Sequence, residues 1–279
     1  MSGKILILAI LLPFCSLTGQ SLGLGGSISA GNYSGDLTKD NKAILSQTNM
    51  GFSIYMNYYF DQYLSIRAQY EHLSVYADDA LAKEDWQLKR NLNFHSHIHS
   101  FDLSGMANLR SILLPEFRRI NFYAVLGLSI FNFNPIAKFN QQSYALRPLG
   151  TEGQGMKGYP DKYKLWSSAL NFGLNLEYLI NDRITIQTQL LFRKTNTDYL
   201  DDISNSYVDY NLLAENNGQI SAALGNKIKA DNGSQRGNPL DKDWYQSLSL
   251  GIQYRLVVNS ANSLYKDKKP AVHYPRFKH

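Results

Sequence analysis

The feature that most constrains the fold of this chain is a set of eight segments in which apolar and polar residues alternate with a period of two. Such alternation is typical of β-strands that present two different faces to their surroundings. In residues 170–178, one of the clearest segments, Leu, Phe, Leu, Leu and Tyr alternate with Asn, Gly, Asn and Glu. The other seven segments span residues 22–30, 52–60, 64–71, 100–109, 122–130, 184–193 and 247–256. We therefore predict an all-β fold.

The connections between these segments are alternately short and long. Those near 61–62, 115 and 181–182 are short, whereas those over 33–48, 76–96, 133–166 and 197–243 are long. An up-and-down barrel with tight periplasmic turns and long external loops has this asymmetry. A soluble sandwich has no reason to place every long loop at one end. The pattern predicts an eight-stranded antiparallel up-and-down transmembrane β-barrel in a bacterial outer membrane, with both termini periplasmic.

The first residues have the pattern of an export signal. Lys4 is followed by an apolar stretch over 5–14 and a small or polar stretch over 16–20. We predict a signal peptide at 1–19, an outer-membrane β-barrel at 20–258 and a basic periplasmic tail at 259–279. The alternative, a lipoprotein with Cys15 as its lipidated residue, is disfavoured by bulky Phe14. Because Cys15 is the only cysteine, removal of the signal would leave no disulfide and no cysteine-based metal site.

The two faces of the predicted strands differ in chemistry. The apolar face would meet lipid, with Tyr58, Phe60, Tyr178, Tyr254 and Trp244 near strand ends like aromatic girdles. The polar face would line the lumen, where opposite charges can pair. An eight-stranded barrel is just wide enough for side chains to fill its interior, so we predict a plugged barrel and not a pore. The candidate lumen charge network comprises Arg67, Glu71, Asp102, Glu177 and Arg255.

Three histidines, His95, His97 and His99, would share one face of a strand. Imidazoles bind zinc and copper, but adjacent same-face positions lie ~6.5–7 Å apart, too far for all three to bind one ion without a bend. We interpret them as a polar strand end rising out of the lipid band. The sequence predicts no metal and no cofactor.

An acidic cluster, Asp198, Asp201 and Asp202, lies beside Arg193 where the seventh strand enters its long loop. Calcium requires six to eight oxygen ligands, and the cluster lacks a full calcium-loop pattern. We interpret it as a salt-bridged loop anchor that also includes Arg236 and Trp244. The glycines of 150–155 indicate tight turns, since no Lys-Ser/Thr follows them. No catalytic triad can be assembled, so the sequence favours a non-enzymatic protein, and the net charge of +5 does not argue for nucleic acid.

The tail beyond the last strand is basic and contains prolines and aromatics. It is either a solvated disordered segment or a docking segment for a periplasmic partner, since disordered segments can order on binding. Its candidate docking residues are Lys266, Lys268, Lys269, Tyr274 and Arg276.

Several stretches of the chain resemble PorG-type outer-membrane proteins of Bacteroidetes. They are LGTEGQG at 149–155, RKTNTDYLDDIS at 193–204, RGN at 236–238 and DWY at 243–245, with NYSGDL at 32–37 and RNL at 90–92 fitting the same pattern. The resemblance covers nearly the whole mature chain, and 193–204 is its most specific part. The tail after Val258 and the three histidines depart from the family pattern.

This resemblance implies a component of the type IX protein secretion machinery, which is also associated with gliding. In that machinery the PorG barrel is thought to tie a periplasmic ring of the PorK lipoprotein and PorN to the outer membrane. The partners implied are therefore outer-membrane lipid and a PorK/PorN-like ring. One alternative is an OmpX- or OmpA-like barrel for surface ligand binding, adhesion or envelope integrity. Another is a small lipid A-modifying enzyme that uses the rim carboxylates or histidines.

Overall fold

The computed structural model describes residues 21–38, 47–113 and 119–257. The expected signal peptide at 1–19, with Cys15, lies outside the described residues. So does the basic tail at 259–279, with its candidate docking residues Lys266, Lys268, Lys269, Tyr274 and Arg276.

In the described residues, ten strands form a single antiparallel sheet, and eight of them close into a barrel. The strands are β1 (Ser21–Ser34), β2 (Asn49–Tyr59), β3 (Leu64–Asp78), β4 (Asn93–Asn108), β5 (Ile120–Asn132), β6 (Pro135–Phe139), β7 (Gln142–Ala145), β8 (Trp166–Leu179), β9 (Ile184–Thr195) and β10 (Trp244–Val257). The sheet order is β3-β2-β1-β10-β9-β8-β5-β4, and β3 also pairs with β4, which closes the ring. The remaining strands, β6 and β7, form a hairpin that extends from β4. The predicted eight-stranded up-and-down barrel is confirmed.

One end of the barrel, called here the turn end, carries the short connections, the start of β1 and the end of β10. Residues 60–63 and 180–183 form turns stabilised by side-chain caps. The Asp61 carboxylate accepts hydrogen bonds from the Tyr63 and Leu64 amides at 2.7 and 2.8 Å, and Asn181 caps its own turn in the same way. Asp and Asn favour such turns because their side chains replace a backbone acceptor.

The opposite end, called the loop end, carries the long connections. They contain a 3₁₀ helix (Asp79–Leu81), α1 (Asp85–Arg90), α3 (Leu146–Leu149), α4 (Tyr210–Asn217) and α5 (Gln219–Gly225), whereas α2 (Leu109–Leu113) belongs to the turn end. None of the helices in the described part of the chain is long and apolar enough to cross a membrane. The sequence pattern predicted only loops here, and the short helices and the β6–β7 hairpin were missed.

Through most of its length the barrel is apolar outside and polar inside. Leu126 and Leu128 on the exterior are 61% and 67% exposed, whereas Asn175 and Glu177 in the lumen are fully buried. A soluble barrel has the opposite arrangement, because water selects a polar exterior. An apolar exterior around a polar interior is the pattern of barrels that span membranes.

Toward the loop end this polarity reverses. The lumen face of β3 changes from Arg67 and Glu71 to Leu73 and Val75, and the lumen face of β4 changes in the paired row from Ser100 to Ile98. Beyond this level the interior is an apolar core covered by the long loops. The core comprises Tyr33, Leu37, Leu73, Val75, Ala77, Leu92, Phe94, Ile98, Phe131, Phe133, Ala137, Leu146, Ala169, Leu200, Ile203, Leu224 and Tyr245. β3 and β4 therefore extend past the apolar exterior band, and the connection expected over 76–96 is shortened to 79–92.

The weak alternation of β1 has a packing cause. Gly25 faces the lumen, where a Cβ atom would lie 2.3 Å from the ring of Tyr55. The Tyr55 hydroxyl reaches beyond β1 and donates to the carbonyl of Ile252 on β10 at 3.0 Å. Glycine at this position leaves the room that the tyrosine ring occupies.

Candidate functional site

Arg193 holds an ion-pair network across the lumen. Its guanidinium on β9 contacts both Glu71 on β3 and Asp102 on β4, with 2.6 Å between Nη2 and Asp102 Oδ2. Ser247 accepts a further hydrogen bond from Arg193 Nη1 at 3.1 Å. Because β9 and β3 are four steps apart around an eight-stranded ring, these contacts join opposite walls.

Two further bridges cross the lumen closer to the turn end. Arg67 on β3 donates to Gln187 on β9 at 2.6 Å, and the Tyr59 hydroxyl on β2 donates to Glu177 on β8 at 3.0 Å. The Arg255 guanidinium lies over the Tyr59 ring at 4.9 Å. The structure thus places all five candidate lumen charges, Arg67, Glu71, Asp102, Glu177 and Arg255, in the buried interior.

Two residues expected in the loop anchor lie elsewhere. Arg193 is next to the acidic cluster in sequence, but alternation along β9 turns its side chain into the lumen. Its neighbour Lys194 projects outward, with Nζ 5.2 Å from the ring of Trp244. Trp244 also packs edge-on against Phe172 on the exterior, with 5.9 Å between ring centroids. Arg193 therefore belongs to the lumen network and Trp244 to the barrel surface.

The described loops of the loop end, residues 35–38, 79–92, 133–165 and 196–243, form a unit that we call the cap. Its central ion pair joins Arg236 to Glu152, with 2.8 Å between Nη1 and Oε1, and both side chains are buried. Glu152 also accepts hydrogen bonds from the amides of Ser204 and Asn205 at 3.0 and 3.2 Å. Arg236 donates to the carbonyl of Asp202 at 2.7 Å. Two loops distant in sequence are thereby fixed to each other.

Tyr33 connects the cap to the first strand. Its hydroxyl lies 2.6 Å from Asp201 Oδ2 and 3.0 Å from Asp243 Oδ1. Asp243 also accepts from the Leu200 amide at 2.9 Å. Residues from β1, from the start of the 196–243 loop and from its end therefore meet at one tyrosine.

A second set of contacts joins the remaining loops. Arg90 pairs with Asp79 at 2.7 Å and donates to the carbonyl of Asp36 at 3.1 Å. The Asp36 carboxylate accepts from the Asn238 amide at 2.9 Å. Asp202, at the other side of the cap, accepts from Tyr163 at 2.7 Å and is hydrogen-bonded to Thr151. Of the expected anchor residues, the structure places Asp198, Asp201, Asp202 and Arg236 in this cap.

Sequence reasoning missed five residues that hold the cap together. They are Tyr33, Asp36, Asp79, Arg90 and Glu152, and all of them except Asp79 fall within the stretches 32–37, 90–92 and 149–155 that carry the family resemblance. The stretches at 193–204, 236–238 and 243–245 meet them in the same unit. The resemblance was thus a signal for these residues, although the alternation pattern was not.

The glycines of 150–155 form the turns expected of them. Gly150, Gly153 and Gly155 have φ angles of 59°, 80° and 86°, in the region that favours glycine. The Gly153 amide donates to the Gly150 carbonyl at 2.9 Å. These turns place Thr151 and Glu152 in the interior of the cap.

Burial changes the acidity of the cap carboxyls. It raises the pKa of Asp201 to about 8, that of Asp198 to about 7 and that of Asp202 to about 6. Burial also raises the pKa of Asp243 well above its usual range, and the neighbouring Asp201 charge adds to the effect. Arg236 opposes the shift at Asp202. Protonated carboxyls are therefore part of the folded cap near neutral pH.

The histidines project from the exterior of β4. His72 on β3 joins His95, His97 and His99, with 4.6 Å between the ring centroids of His72 and His99 and 4.4 Å between those of His95 and His97. We call these four residues the histidine cluster. Within the described residues, no group of three or more His, Cys, Asp or Glu side chains is arranged to hold a metal ion.

Comparison with known proteins gives distant structural similarity only. No protein-family model matches the chain, and no curated protein matches it. The chain is similar to Ail, the attachment invasion locus protein of Yersinia pestis, at 10% identity and a TM-score of 0.41, over 86% of this chain and 99% of Ail. It is also similar to Neisserial surface protein A at 10% identity and a TM-score of 0.38, over 85% of this chain and 98% of that protein.

A third similar structure is the outer-membrane protein OprG from Pseudomonas aeruginosa, at 10% identity and a TM-score of 0.38. The similarity covers 85% of this chain and 96% of OprG.

Proposed function

We propose that this chain is a non-enzymatic barrel of the bacterial outer membrane that presents its cap at the cell surface for ligand binding, adhesion or envelope integrity. The observation that carries the proposal is the reversal of polarity along the strands. The barrel is apolar outside over one part of its length, whereas its loop end has an apolar core beneath polar loops. An apolar exterior is the surface that a barrel presents to lipid, whereas an apolar core beneath polar loops is the arrangement of a protein in water.

The contacts within the cap support a recognition role. Buried ion pairs at Arg236–Glu152 and Arg90–Asp79 hold its loops in one arrangement. A surface whose loops are ordered before binding loses less conformational entropy when a ligand binds. The cap is thus built as a fixed surface.

The lumen contacts support a barrel without a diffusion pathway. Bridges from Arg193 to Glu71, from Arg67 and from Tyr59 join opposite walls at three places along the lumen. Side chains fill the interior of barrels of this strand number. Reconstituted protein should therefore produce no steady ion conductance across a planar lipid bilayer, and stable open channels would contradict this part of the proposal.

Trimming the cap tests the recognition role. Replacing α4 and α5, residues 210–225, by a short Gly-Ser linker leaves the eight barrel strands intact. We expect loss of surface adhesion or increased detergent sensitivity of cells, while the chain remains in the outer membrane and secretion is unchanged. Full adhesion and envelope integrity in the trimmed strain would contradict the proposal.

A second candidate is an outer-membrane anchor in the type IX secretion machinery. It is favoured by the convergence of the resemblance stretches, which pack together in the cap instead of being scattered over the molecule. In this role a PorK/PorN-like ring would meet the turn end or the tail at 259–279. Deletion of the protein should then block export of type IX cargo, and the full chain should co-purify with the ring proteins.

The two candidates predict different results for the tail. A chain that ends at residue 258 should lose the ring proteins in a pull-down if Lys266, Lys268, Lys269, Tyr274 and Arg276 form the docking segment. Normal cargo export in the deletion strain, with no ring proteins bound to the full chain, would contradict the anchoring role and leave the surface role intact.

A further inference from the structure

An apolar groove of about 740 Å³ lies on the lipid-facing side of the barrel. Ala68 on β3 pairs with Met56 on β2 and with Leu103 on β4, so a small side chain stands between two large ones. Tyr70 and Phe101 lie one exterior position further toward the loop end. The small side chain of Ala68 therefore leaves space between its larger apolar neighbours in the lining of the groove.

The groove ends at the histidine cluster. The Tyr70 hydroxyl is 2.9 Å from His99 Nδ1, and the His72 ring packs against His99. In the next row Ser74 Oγ is 2.9 Å from His97 Nδ1. The exterior of β3 and β4 therefore changes from apolar to hydrogen-bonding groups directly beyond the groove.

Each of the two hydroxyls is hydrogen-bonded to Nδ1 of one imidazole. A hydroxyl that donates to Nδ1 leaves the ring proton on Nε2, where it can be donated to another group. His97 and His99 are both exposed, so their Nε2 atoms are accessible from outside the barrel. This arrangement offers two neighbouring N–H donors at the edge of the apolar band.

The surroundings of the cluster favour an anion. The three exterior rows beyond Phe101 pair His72 with His99, Ser74 with His97, and Tyr76 with His95, and contain no carboxylate. Lys138 on β6 is close enough to act electrostatically on His95. The carboxylate of the following row, Asp78, already accepts from the Tyr76 hydroxyl at 2.9 Å and from the Ala80 amide at 2.9 Å.

We propose that the groove and the histidine cluster form one binding site for a phosphorylated glycolipid of the outer leaflet, with an acyl chain against Ala68 and a headgroup phosphate at His97 and His99. The proposal rests on the membrane location and outward loop end inferred above. The apolar groove would hold the acyl chain of such a lipid, and the N–H donors of the histidines would bind its phosphate. Because the phosphate is charged, hydrogen bonds from the two Nε2–H groups to it are stronger than neutral ones.

The test uses the purified full chain in phosphatidylcholine nanodiscs doped with lipid A or with its dephosphorylated form. Lipid retained on the released protein is measured by native mass spectrometry. We expect preferential retention of phosphorylated lipid A, and a loss of at least about tenfold for the double variant His97→Ala/His99→Ala, since each charge-assisted hydrogen bond corresponds to about a tenfold change in affinity. The double variant should still retain the dephosphorylated form.

A second variant examines the groove itself. Ala68→Leu fills the space left by the alanine and should lower retention of both lipid forms. Ala124→Leu is the matched control, because Ala124 is an exterior alanine on β5 that does not line the groove. Equal retention by Ala68→Leu and Ala124→Leu would overturn the proposal. So would equal retention of the two lipid forms by the unaltered protein, or binding of added Zn²⁺ to the histidines without any preference for lipid A.

Failure of the site is distinguishable from failure of the proposed membrane location. A chain that enters nanodiscs and migrates as a folded barrel, but shows no lipid preference, refutes only the site. A chain that does not enter nanodiscs refutes the membrane barrel on which the site depends.

Discussion

At the scale of single residues, Tyr33 joins β1 to both ends of the 196–243 loop of the cap. A phenol carries one hydroxyl proton, yet two carboxylates lie within hydrogen-bond distance of it. Asp201 and Asp243 are both buried, so two unprotonated carboxylates beside one hydroxyl would leave one of them poorly satisfied. We infer that a carboxyl proton is shared in this group near neutral pH.

Replacement of Tyr33 by Phe should loosen the cap without unfolding the barrel. It leaves buried acceptors without their donor, which costs about 1–3 kcal/mol. The expected result is faster hydrogen exchange at the Leu200 and Ile203 amides, which donate to Asp243 and Asp201. The control Tyr159→Phe removes a hydroxyl from a half-buried cap tyrosine that lies against Gly153. If the two variants exchange alike, Tyr33 has no such role.

The cap should be less stable at higher pH. In the unfolded cap the aspartates have ordinary pKa values, whereas in the folded cap that of Asp201 is raised to about 8 and that of Asp198 to about 7. Between about pH 4 and 8 the folded cap therefore binds more protons than the unfolded cap, and its free energy of unfolding falls as the pH rises.

Limited proteolysis of the cap at a series of pH values measures this dependence. Cleavage should accelerate between mildly acidic and mildly alkaline pH in the native protein. Asp201→Asn, which cannot lose a proton, should reduce the pH dependence. A cap that becomes more protected with rising pH would contradict the assignment.

At the scale of elements, the lumen bridges determine how firmly the strands are held. Arg193→Met leaves Glu71 and Asp102 buried without their cation, and breaking a buried ion pair in this way costs about 3–5 kcal/mol. On a denaturing gel, the unheated folded barrel and the heated unfolded chain migrate as different bands. The urea concentration at which half of the folded band is lost should fall in this variant. Arg183→Met is the matched control, because Arg183 is exposed in a turn, where its Nη1 lies 2.9 Å from the Tyr254 hydroxyl. Equal midpoints for both variants would show that the lumen network contributes nothing.

Packing between β1 and β2 gives a second prediction at this scale. Gly25→Ala would place a methyl group against the Tyr55 ring and should destabilise the barrel by about 1–3 kcal/mol. In Gly26→Ala the new Cβ faces outward, 3.5 Å from the nearest atom, the Ser53 carbonyl oxygen, and the effect should be small. The same urea titration compares them, and a larger loss for Gly26→Ala would contradict the packing at Gly25.

The barrel strands could be predicted from the sequence because each has two chemically different faces, and alternation records this locally. The alternation of β1 was weak because glycine occupies positions on both of its faces, Gly25 in the lumen and Gly26 on the exterior. The cap could not be assembled in the same way, since Tyr33 and Asp201 are 168 positions apart and no local pattern relates them. Arg193 was assigned to the loop anchor because it lies close to Asp198 in the sequence. Alternation along β9, however, turns its side chain into the lumen. The histidines were placed correctly on one face, but their neighbour His72 comes from the paired strand.

At the scale of the whole molecule, one chain combines two arrangements of polarity. The barrel wall is apolar outside and bridged by polar groups inside, whereas the cap has an apolar core and polar loops. The change occurs between two successive lumen rows, because Glu71 pairs with Ser100 in one and Leu73 pairs with Ile98 in the next. Under the proposed function, the boundary between these two rows is the level at which the molecule leaves the membrane, with the turn end in the periplasm and the cap outside.

Labelling of single cysteines in intact cells tests this orientation. Lys157→Cys marks the exposed surface of the cap and Gln62→Cys marks the turn end, each in a chain with Cys15→Ser, because Cys15 is the only native cysteine. A membrane-impermeant maleimide should label Lys157→Cys in intact cells, and Gln62→Cys only after the outer membrane is permeabilised. Labelling of Gln62→Cys in intact cells, or recovery of the folded chain in the soluble fraction, would contradict the account.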